Sequence, residues 1–395
     1  MEKRKAMIAL SASAAVITAA VIGGTSPGSA MGTAWSIARQ TAYLSAGITV
    51  PANAQAAEWT VEAAPPQTQE ETEEAPLPAQ AAAPDIPALT SEETSLPDDN
   101  EPVNAARVIS RNITPFDDGI DRTAAGNMSG AIVREHFAGY QGTDYIQLPG
   151  GGLVWNCTND SPELIRNAGS TLPELKIELN SPDPQVLIVH THTTESYEPY
   201  QRSYYDSEFP YRTKDPEHNV TRVGEVLAQR LADQGISVLH DGTIHDSPTY
   251  TGAYDRSEAT IRAALEEYPS IKVVIDLHRD AVYCDDGSRK APVAEINGSS
   301  AAQFMIIAGC DDGRFGNMPY YEQNLSLACL IQDAAEALYP GLARPVLFDY
   351  RNYNQHISTG SLLIEVGGHA NSLDEAMYTG ELLGDCMAKA LKQLT

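Results

Sequence analysis

Three short, mostly apolar segments of this 395-residue sequence each lead into histidine or carboxylate side chains. The segments are residues 186–189, 271–277 and 361–364, and the side chains that follow them include His190, His192, Glu195, His278, Glu365 and His369. Imidazole nitrogens and carboxylate oxygens are the ligands of catalytic Zn²⁺, which has three protein ligands and one open position for water. These residues therefore predict a catalytic zinc site, provided that the fold brings the three segments together.

Each of these residues also has a structural interpretation. A single histidine at a strand end more often caps the strand than binds a metal, and Glu365 would be a suitable ion-pair partner for Arg279 or Arg351. The same kind of ending on three segments makes the metal interpretation the stronger one. A buried carboxylate beside a metal-bound water would act as a general base, and this is the role that we predict for Glu365.

The elements that must position these residues follow from the pattern beyond residue 107. Residues 108–180 form a leading region, with a helical pattern in SGAIVREHFAGY and two short strands around Gly150 to Gly152. In residues 181–395, apolar strand segments alternate with helical stripes such as NVTRVGEVLAQRL. This alternation predicts an α/β fold with a central mixed, mostly parallel sheet and helices on both faces. Ligands of such sheets bind beyond the carboxyl ends of the strands.

The N-terminal part of the chain has a different composition. Residues 1–30 begin with basic side chains and continue without charge from 7 to 24, which is typical of a signal anchor or transmembrane segment. Residues 31–107 are rich in Pro, Ala and Glu and predict an acidic disordered linker. We therefore expect a single-pass protein of the cell membrane with its catalytic part outside the cytoplasm, or a released form if the first segment is cleaved.

The composition argues against several other classes of protein. A net charge of −27 is unsuited to nucleic acid, because phosphate contacts need basic patches. The five cysteines are widely spaced, without a CxxC pair, which argues against a cysteine-rich zinc module and a disulfide scaffold. We expect most of them to be buried apolar residues.

Four segments together resemble the stage II sporulation protein P family, the engulfment peptidoglycan hydrolases of endospore-forming bacteria. They lie within residues 180–394 and read VLIVHTHTTESY, NVTRVGEVLAQRL, IDLHRDA and RNYNQHISTGSLLIEVGGHANSLDEA. That family is similar in turn to zinc-dependent N-acetylmuramoyl-L-alanine amidases with an α/β fold. The resemblance implies cleavage between N-acetylmuramic acid and L-alanine of the stem peptide, and endopeptidase activity on peptide crosslinks. It also implies a lytic transglycosylase and other engulfment membrane proteins as partners.

The resemblance further implies the roles of individual residues. Zinc would be bound by a histidine of the HTH motif, by His278 and by a third ligand between them, with Glu365 as the base. For the first ligand the family pattern favours His192, with His190 as the alternative. The third falls near Glu217, with Asp215 and His218 as neighbouring alternatives. Four further residues are candidates for substrate or oxyanion contacts, or for rigid loop contacts: Arg279, Arg351, Asn354 and Gln355.

Two functions remain as alternatives to a zinc amidase. A membrane-tethered module that binds or organises the cell wall would have structural histidines and no tightly bound zinc. A zinc peptidase acting on stem peptides would share the metal and differ in the bond that it cuts.

Overall fold

The computed structural model describes residues 105–313 and 317–395. The predicted anchor at residues 1–30 and nearly all of the predicted linker at 31–107 lie outside the described residues. Within the described part, no helix is long and apolar enough to cross a membrane.

A nine-stranded sheet forms the centre of the fold. In spatial order its strands are β1 (Val108–Arg111), β7 (Val238–Asp241), β5 (Val186–Val189), β8 (Val273–Asp280), β14 (Ser361–Gly368), β12 (Phe304–Cys310), β13 (Val346–Tyr350), β4 (Leu153–Asn156) and β3 (Tyr145–Gln147). Only the pairs β14–β12 and β4–β3 are antiparallel within this sheet. The predicted central mixed, mostly parallel sheet is therefore confirmed.

Helices pack on both faces of this sheet, as predicted. Alternate residues of β5 point to opposite faces, so that Val186 and Ile188 join the larger hydrophobic core while Leu187 and Val189 join a smaller one. The larger core includes residues of α1 (Pro162–Ser170), α2 (Val220–Asp233), α4 (Tyr321–Leu338) and α5 (Leu373–Leu391). The smaller core includes residues of α3 (Ala253–Glu267).

A second, smaller sheet was not predicted from the sequence. Its strands are β11 (Ser299–Ala302), β10 (Arg289–Ile296), β2 (Gly130–Glu135) and β6 (Tyr204–Tyr205), and β9 (Val282–Tyr283) also pairs with β10. The predicted helix in SGAIVREHFAGY is wrong, because this segment contains β2. Ile132 is buried in a small cluster while the next residue, Val133, is exposed, which is the two-residue period of a strand.

The leading region, residues 108–180, contributes strands to both sheets. Strand β1 lies at one edge of the main sheet, β3 and β4 lie at the opposite edge, and β2 belongs to the small sheet. All four strands come from the leading region, residues 108–180. Their partners are distant in the sequence, and composition alone does not reveal such pairing.

The start of α2 is fixed to the loop that follows β5. Asn219 caps the helix by accepting a hydrogen bond from the Thr221 amide at 2.8 Å. The Val220 amide donates to the Glu195 carbonyl at 2.7 Å, and Ser196 forms an isolated bridge with Asn219. The residues after β5 are therefore attached to a helix that packs in the main core.

The five cysteines are all unpaired. Three of them, Cys310, Cys329 and Cys386, are buried, whereas Cys157 and Cys284 are partly exposed. The expectation that most of the cysteines are buried is confirmed.

Candidate metal centre

The carboxyl ends of the parallel neighbours β5 and β8 bring three potential metal ligands together. The chain leaves β5 after Val189 and turns at residues 191–194, which carries His192 and Glu195 towards the end of β8. One ligand atom from each of His192, Glu195 and His278 lies within 4.8 Å of the other two. The Nδ1 atoms of both histidines are each 3.6 Å from a Glu195 carboxylate oxygen. Tetrahedral Zn²⁺ with bonds of about 2.1 Å separates its ligand atoms by about 3.4 Å, so the cluster has suitable dimensions.

Glu195 is buried, and its neighbours keep its carboxyl group ionised, as a metal ligand must be. Its Oε1 lies 3.2 Å from Nη2 of Arg212, and its Oε2 accepts a hydrogen bond from the Arg279 amide at 3.3 Å. Burial alone would raise the pKa of Glu195. The charge of Arg279 and the two neighbouring histidines outweigh this effect and hold the pKa well below its usual value.

A second carboxylate orients His278 from behind. Asp276 and His278 are two residues apart in β8 and so share one face of the strand, with Oδ1 of Asp276 2.8 Å from Nε2 of His278. This is an ion-pair contact rather than an aligned hydrogen bond. Thr191 fixes Asp276 through its amide at 2.8 Å and its hydroxyl at 2.6 Å. Burial lowers the pKa of His278, but Asp276 and Glu195 raise it well above its usual value, and Nδ1 is left facing Glu195.

Glu365 lies beside the cluster on the neighbouring strand β14. It is the register partner of His278, so both side chains lie on the same face of the sheet. Burial, together with the negative charge of Asp280, raises the pKa of Glu365 to about 8. Within the described residues its Oε2 is buried without a hydrogen-bond partner, and it forms no ion pair with Arg279 or Arg351. A carboxyl oxygen that forms no hydrogen bond within the protein remains available to exchange protons.

The structure does not bring Glu217 into this cluster, and Glu195 occupies the third position instead. The Glu217 side chain is 66% exposed and lies 3.8 Å from Nε of Arg222. Of the neighbouring alternatives, Asp215 and His218 pair with each other at 2.7 Å. The turn after β5 puts Glu195 next to a histidine only three residues earlier. That spacing of histidine and glutamate in HTHTTE was the signal that the sequence offered for this ligand.

His190, the alternative first ligand, points away from the cluster. Its Nδ1 donates to the Leu277 carbonyl at 2.9 Å, and its Nε2 lies 3.0 Å from Nε2 of His240. Burial lowers the pKa of His190 to about 4. Helix α2 packs against this pair through Gly224, where a Cβ atom would lie 2.7 Å from His240. His190 and His192 point to different sides because the chain turns after β5 instead of continuing as an extended strand.

Arg279 is engaged in hydrogen bonds within the protein. Its Nε donates to the Ser196 carbonyl and its Nη2 donates to the Tyr211 carbonyl, both at 2.9 Å. Its amide binds Glu195, as described above. Arg279 therefore fixes the loop that carries Glu195, which is one of the two roles considered for it, and its contact with a substrate stays a prediction.

Asn354 and Gln355 are also engaged within the protein. The Asn354 amide group donates to the Tyr254 carbonyl at 2.9 Å, and the Gln355 side chain bonds two backbone groups of β12 at 2.8 and 2.9 Å. These hydrogen bonds rigidify the loop before β14, and contacts of the two residues with a substrate stay a prediction. Arg351 is partly exposed and pairs with Asp349 at 2.8 Å, so its contact with a substrate stays a prediction.

Aromatic side chains that the sequence did not single out surround His192. The ring of Tyr250 stacks on His192 with centroids 4.5 Å apart, and Tyr254 contacts it edge-on at 5.6 Å. Tyr353 stacks in turn on Tyr254 at 5.3 Å. These rings fix the orientation of His192 and line one side of the cluster. No motif marked them, because their proximity depends on the packing of α3 and the loop before β14.

The described residues thus define a class: an α/β protein with a candidate metal centre at the carboxyl ends of a mostly parallel sheet. The model of the family described as "Stage II sporulation protein P (SpoIIP)" matches residues 60–388. The chain belongs to the stage II sporulation protein P family, and the resemblance noted in the sequence is confirmed.

One curated relative and several solved structures are similar to this chain. Stage II sporulation protein P of Bacillus subtilis (strain 168) is 30% identical over an alignment of 269 residues, and the match covers 63% of this chain and 64% of the relative. This chain therefore spans just under two thirds of that relative's length. The N-acetylmuramoyl-L-alanine amidase AmiC2 of Nostoc punctiforme is 12% identical, with a TM-score of 0.30 over 53% of this chain and 95% of the other.

A further solved structure is the CwlD amidase from Clostridioides difficile in complex with the GerS lipoprotein. It is 12% identical to this chain, with a TM-score of 0.32, and the match covers 52% of this chain and 94% of the other. Structural similarity of this size carries no weight for the fold or the function of this chain.

Proposed function

We propose that this chain is a zinc-dependent hydrolase that cleaves peptidoglycan between N-acetylmuramic acid and L-alanine of the stem peptide, during engulfment in sporulation. The observation that carries the proposal is the approach of His192, Glu195 and His278 to one another beside Glu365. Membership of the stage II sporulation protein P family supports the role in sporulation. The motif resemblance to that family, which is similar to amidases, supports the choice of bond.

The residues of the cluster fit Zn²⁺. Two imidazoles and one carboxylate are a donor set of catalytic zinc sites, and three ligands leave one tetrahedral position for water. The separations of 3.6 Å between ligand atoms agree with that geometry. When bound, Zn²⁺ would lower the pKa of its water towards neutrality and polarise the carbonyl group of the substrate.

The chain's own residues would hold the ligands and move the proton. Glu365 would accept a proton from the attacking water at its free Oε2 and pass it to the nitrogen of the leaving L-alanine. Asp276 would keep Nδ1 of His278 directed towards the cluster. Arg279 would keep Glu195 in place through its amide and through its contacts with the loop carbonyls.

The proposed setting is the outer side of the cell membrane. Residues 1–30 would form a single-pass anchor, or a segment whose cleavage releases the protein, and residues 31–107 would form an acidic tether. Peptidoglycan would be the substrate, and a lytic transglycosylase and other engulfment membrane proteins would be partners. The composition of residues 1–107 supports the anchor and the tether. The family resemblance supports peptidoglycan as the substrate and the proposed partners.

The test is to measure zinc content and peptidoglycan digestion for the full-length chain, for Glu365→Gln and for His278→Ala. We expect zinc in the first two, and a loss of digestion of about 10²- to 10⁴-fold in Glu365→Gln, because the general base is removed. His278→Ala should lose zinc and digestion together. Digestion that is unchanged in Glu365→Gln would overturn the proposal.

The products separate the remaining alternatives. Mass spectrometry should detect stem peptides with a free N-terminal L-alanine and sugar strands without peptides. Cleavage inside the stem peptides or crosslinks alone would indicate a zinc peptidase. A chain that binds the cell wall, but neither retains zinc nor digests, would indicate a scaffold module.

A further inference from the structure

Arg289 is held between two tyrosine rings close to the metal cluster. Its guanidinium carbon lies 3.7 Å from the ring centroid of Tyr205 and 4.2 Å from that of Tyr211. Both rings are fixed, since the Tyr205 hydroxyl donates to the Gly287 carbonyl at 3.1 Å and the Tyr211 hydroxyl donates to Glu198 at 2.8 Å. The guanidinium group is therefore rigidly oriented by stacking rather than by hydrogen bonds.

Two nitrogen atoms of Arg289, Nε and Nη1, are both buried without a hydrogen-bond partner within the part of the chain that the structure describes. The charge of Arg289 lowers the pKa of the Glu198 carboxyl group, but Glu198 does not bind Arg289. Its Oε2 binds Arg202 at 2.7 Å and its Oε1 binds Tyr211. A buried charge without a partner lowers the stability of a fold, so these donors are suited to an anionic ligand.

His369 provides a second unpartnered group beside Arg289. It is 2% exposed, and within the described residues neither ring nitrogen has a hydrogen-bond partner. Its ring contacts Tyr211 at 5.9 Å and Tyr283 at 4.8 Å, measured between centroids. Tyr283 is the register partner of Arg289 in the small sheet. Burial, with the charges of Arg279 and Arg289, lowers the pKa of His369 to about 3, so the ring is neutral and offers one N–H donor.

A glycine in the small sheet, Gly130, leaves room for the Tyr205 ring that stacks on Arg289. A Cβ atom on Gly130 would lie 2.5 Å from a ring carbon of Tyr205. Only glycine therefore lets that ring lie flat enough over β2 to stack on Arg289. The contact joins two strands, β2 and β10, with the aromatic side chain of a third, β6.

Short connections join this group to the metal cluster. Arg279 donates through Nη2 to the Tyr211 carbonyl and through its amide to Glu195. The His369 amide donates to the Asp280 carbonyl at 2.9 Å, and Asp280 follows His278 by two residues. Hydrogen bonds therefore link the residues around Arg289 to the strand and loop that carry the candidate metal centre.

We propose that Arg289 and His369 form a subsite for a free carboxylate of the stem peptide whose amide bond lies at the metal cluster. The inference rests on the proposed function for the identity of the peptide. Guanidinium groups pair with carboxylates through two parallel hydrogen bonds, and stem peptides contain acidic residues whose carboxylates are either free or amidated. The local charge favours an anion, since Arg202 and Arg289 act on Glu198 and Arg279 and Arg289 act on His369, in a chain whose net charge is −27.

The test is a binding measurement by isothermal titration calorimetry on the full-length chain. Two soluble stem peptides are compared that differ only in a free carboxylate or a carboxamide on the acidic residue. We expect the free acid to bind about tenfold more tightly, the usual effect of a hydrogen-bonded charge pair. Arg289→Gln should reduce its affinity to that of the amide, and Arg289→Lys should retain part of the preference. Inorganic phosphate serves as a competitor that tests for unspecific anion binding.

The preference of the unchanged chain decides the matter even if the variants do not fold. Equal affinity for the two peptides would overturn the subsite, as would an equal loss for both in a folded Arg289→Gln variant. Competition by phosphate as strong as that by the free acid would overturn its selectivity for carboxylates. If the chain digests peptidoglycan but binds both peptides equally, only the subsite is refuted. If it prefers the free acid but neither binds zinc nor digests peptidoglycan, only the proposed hydrolase function is refuted.

Discussion

Two pairs of histidines lie near the carboxyl ends of neighbouring strands in the main sheet, and they differ in what their ring nitrogens contact. His192 and His278 direct Nδ1 towards the carboxylate of Glu195. His190 and His240, by contrast, contact each other at 3.0 Å, and His190 also binds the Leu277 carbonyl. The first pair is suited to a metal ion, and the second pair is part of the packed core.

The pKa values of His278 and His240 shift in opposite directions because the two rings have different neighbours. All of these rings except that of His192 are deeply buried, and burial alone disfavours the charged imidazole. Asp276 and Glu195 reverse this effect at His278 and raise its pKa well above the usual value. His240 faces His190 instead of a close carboxylate, and burial lowers its pKa to about 3. The neighbouring carboxylates, rather than the histidines themselves, distinguish a potential metal site from a structural contact.

The largest effect should come from exchanging the carboxylate that defines the first pair. Glu195→Gln should weaken zinc binding more than about a hundredfold, which exceeds the usual effect of residues that only orient ligands. Glu217→Gln is the matched control, because that side chain is 66% exposed, and its zinc affinity should be unchanged. Zinc competition with a chromogenic chelator measures both. The comparison fails if the Glu217 variant loses zinc and the Glu195 variant retains it.

A second prediction exchanges one histidine of each pair. His190→Gln should reduce the free energy of unfolding by about 2–3 kcal/mol, because the buried Leu277 carbonyl and His240 lose their partner. His192→Gln should lose zinc affinity but change the metal-free stability by less than about 1 kcal/mol. Denaturant unfolding in the presence of a chelator, together with zinc competition, separates the two effects. The reverse pattern would assign the metal to His190.

A third prediction concerns the orientation of the first pair. Asp276→Asn should weaken zinc binding about 10- to 100-fold, because Asp276 contacts His278 from behind at 2.8 Å. Asp241→Asn, at the end of the neighbouring strand β7, is the control and should leave zinc affinity unchanged. Competition titrations of both variants provide the measurement. Equal zinc affinity in wild type and Asp276→Asn would show that the carboxylate does not support the ligand.

The smallest effect should be the acid sensitivity of the second pair. The folded-state pKa of His240 is lowered to about 3 from a usual 6.5, so below pH 6.5 the unfolded state binds a proton that the folded state does not. Stability is therefore complete above pH 6.5 and decreases as the pH falls, by up to about 1.4 kcal/mol per pH unit. His240→Asn should remove this contribution. Denaturant unfolding of metal-free protein between pH 7 and pH 5 tests it, and identical slopes would contradict it.

Local composition was sufficient to predict much of the main sheet. The local pattern predicts the strands β5, β8 and β14, whose apolar runs are buried on both faces of the sheet. It also predicts the helices α2 and α5, whose apolar residues recur with the helical period. Strand β2 was predicted as a helix because its six residues are too few to establish a period of two against their surroundings. The small sheet was missed for the related reason that its strands pair over long distances in the sequence.

The sequence by itself determined the alternation of strands and helices, and thereby which histidines and carboxylates stand at the ends of strands. Only the tertiary structure decided which of them face each other. The turn after β5 directs His192 and Glu195 to one side and leaves His190 on the other, and Arg279 fixes that turn from a strand 83 residues away in the sequence. The direction of a side chain after the end of a strand depends on such distant hydrogen bonds, and no local pattern contains them.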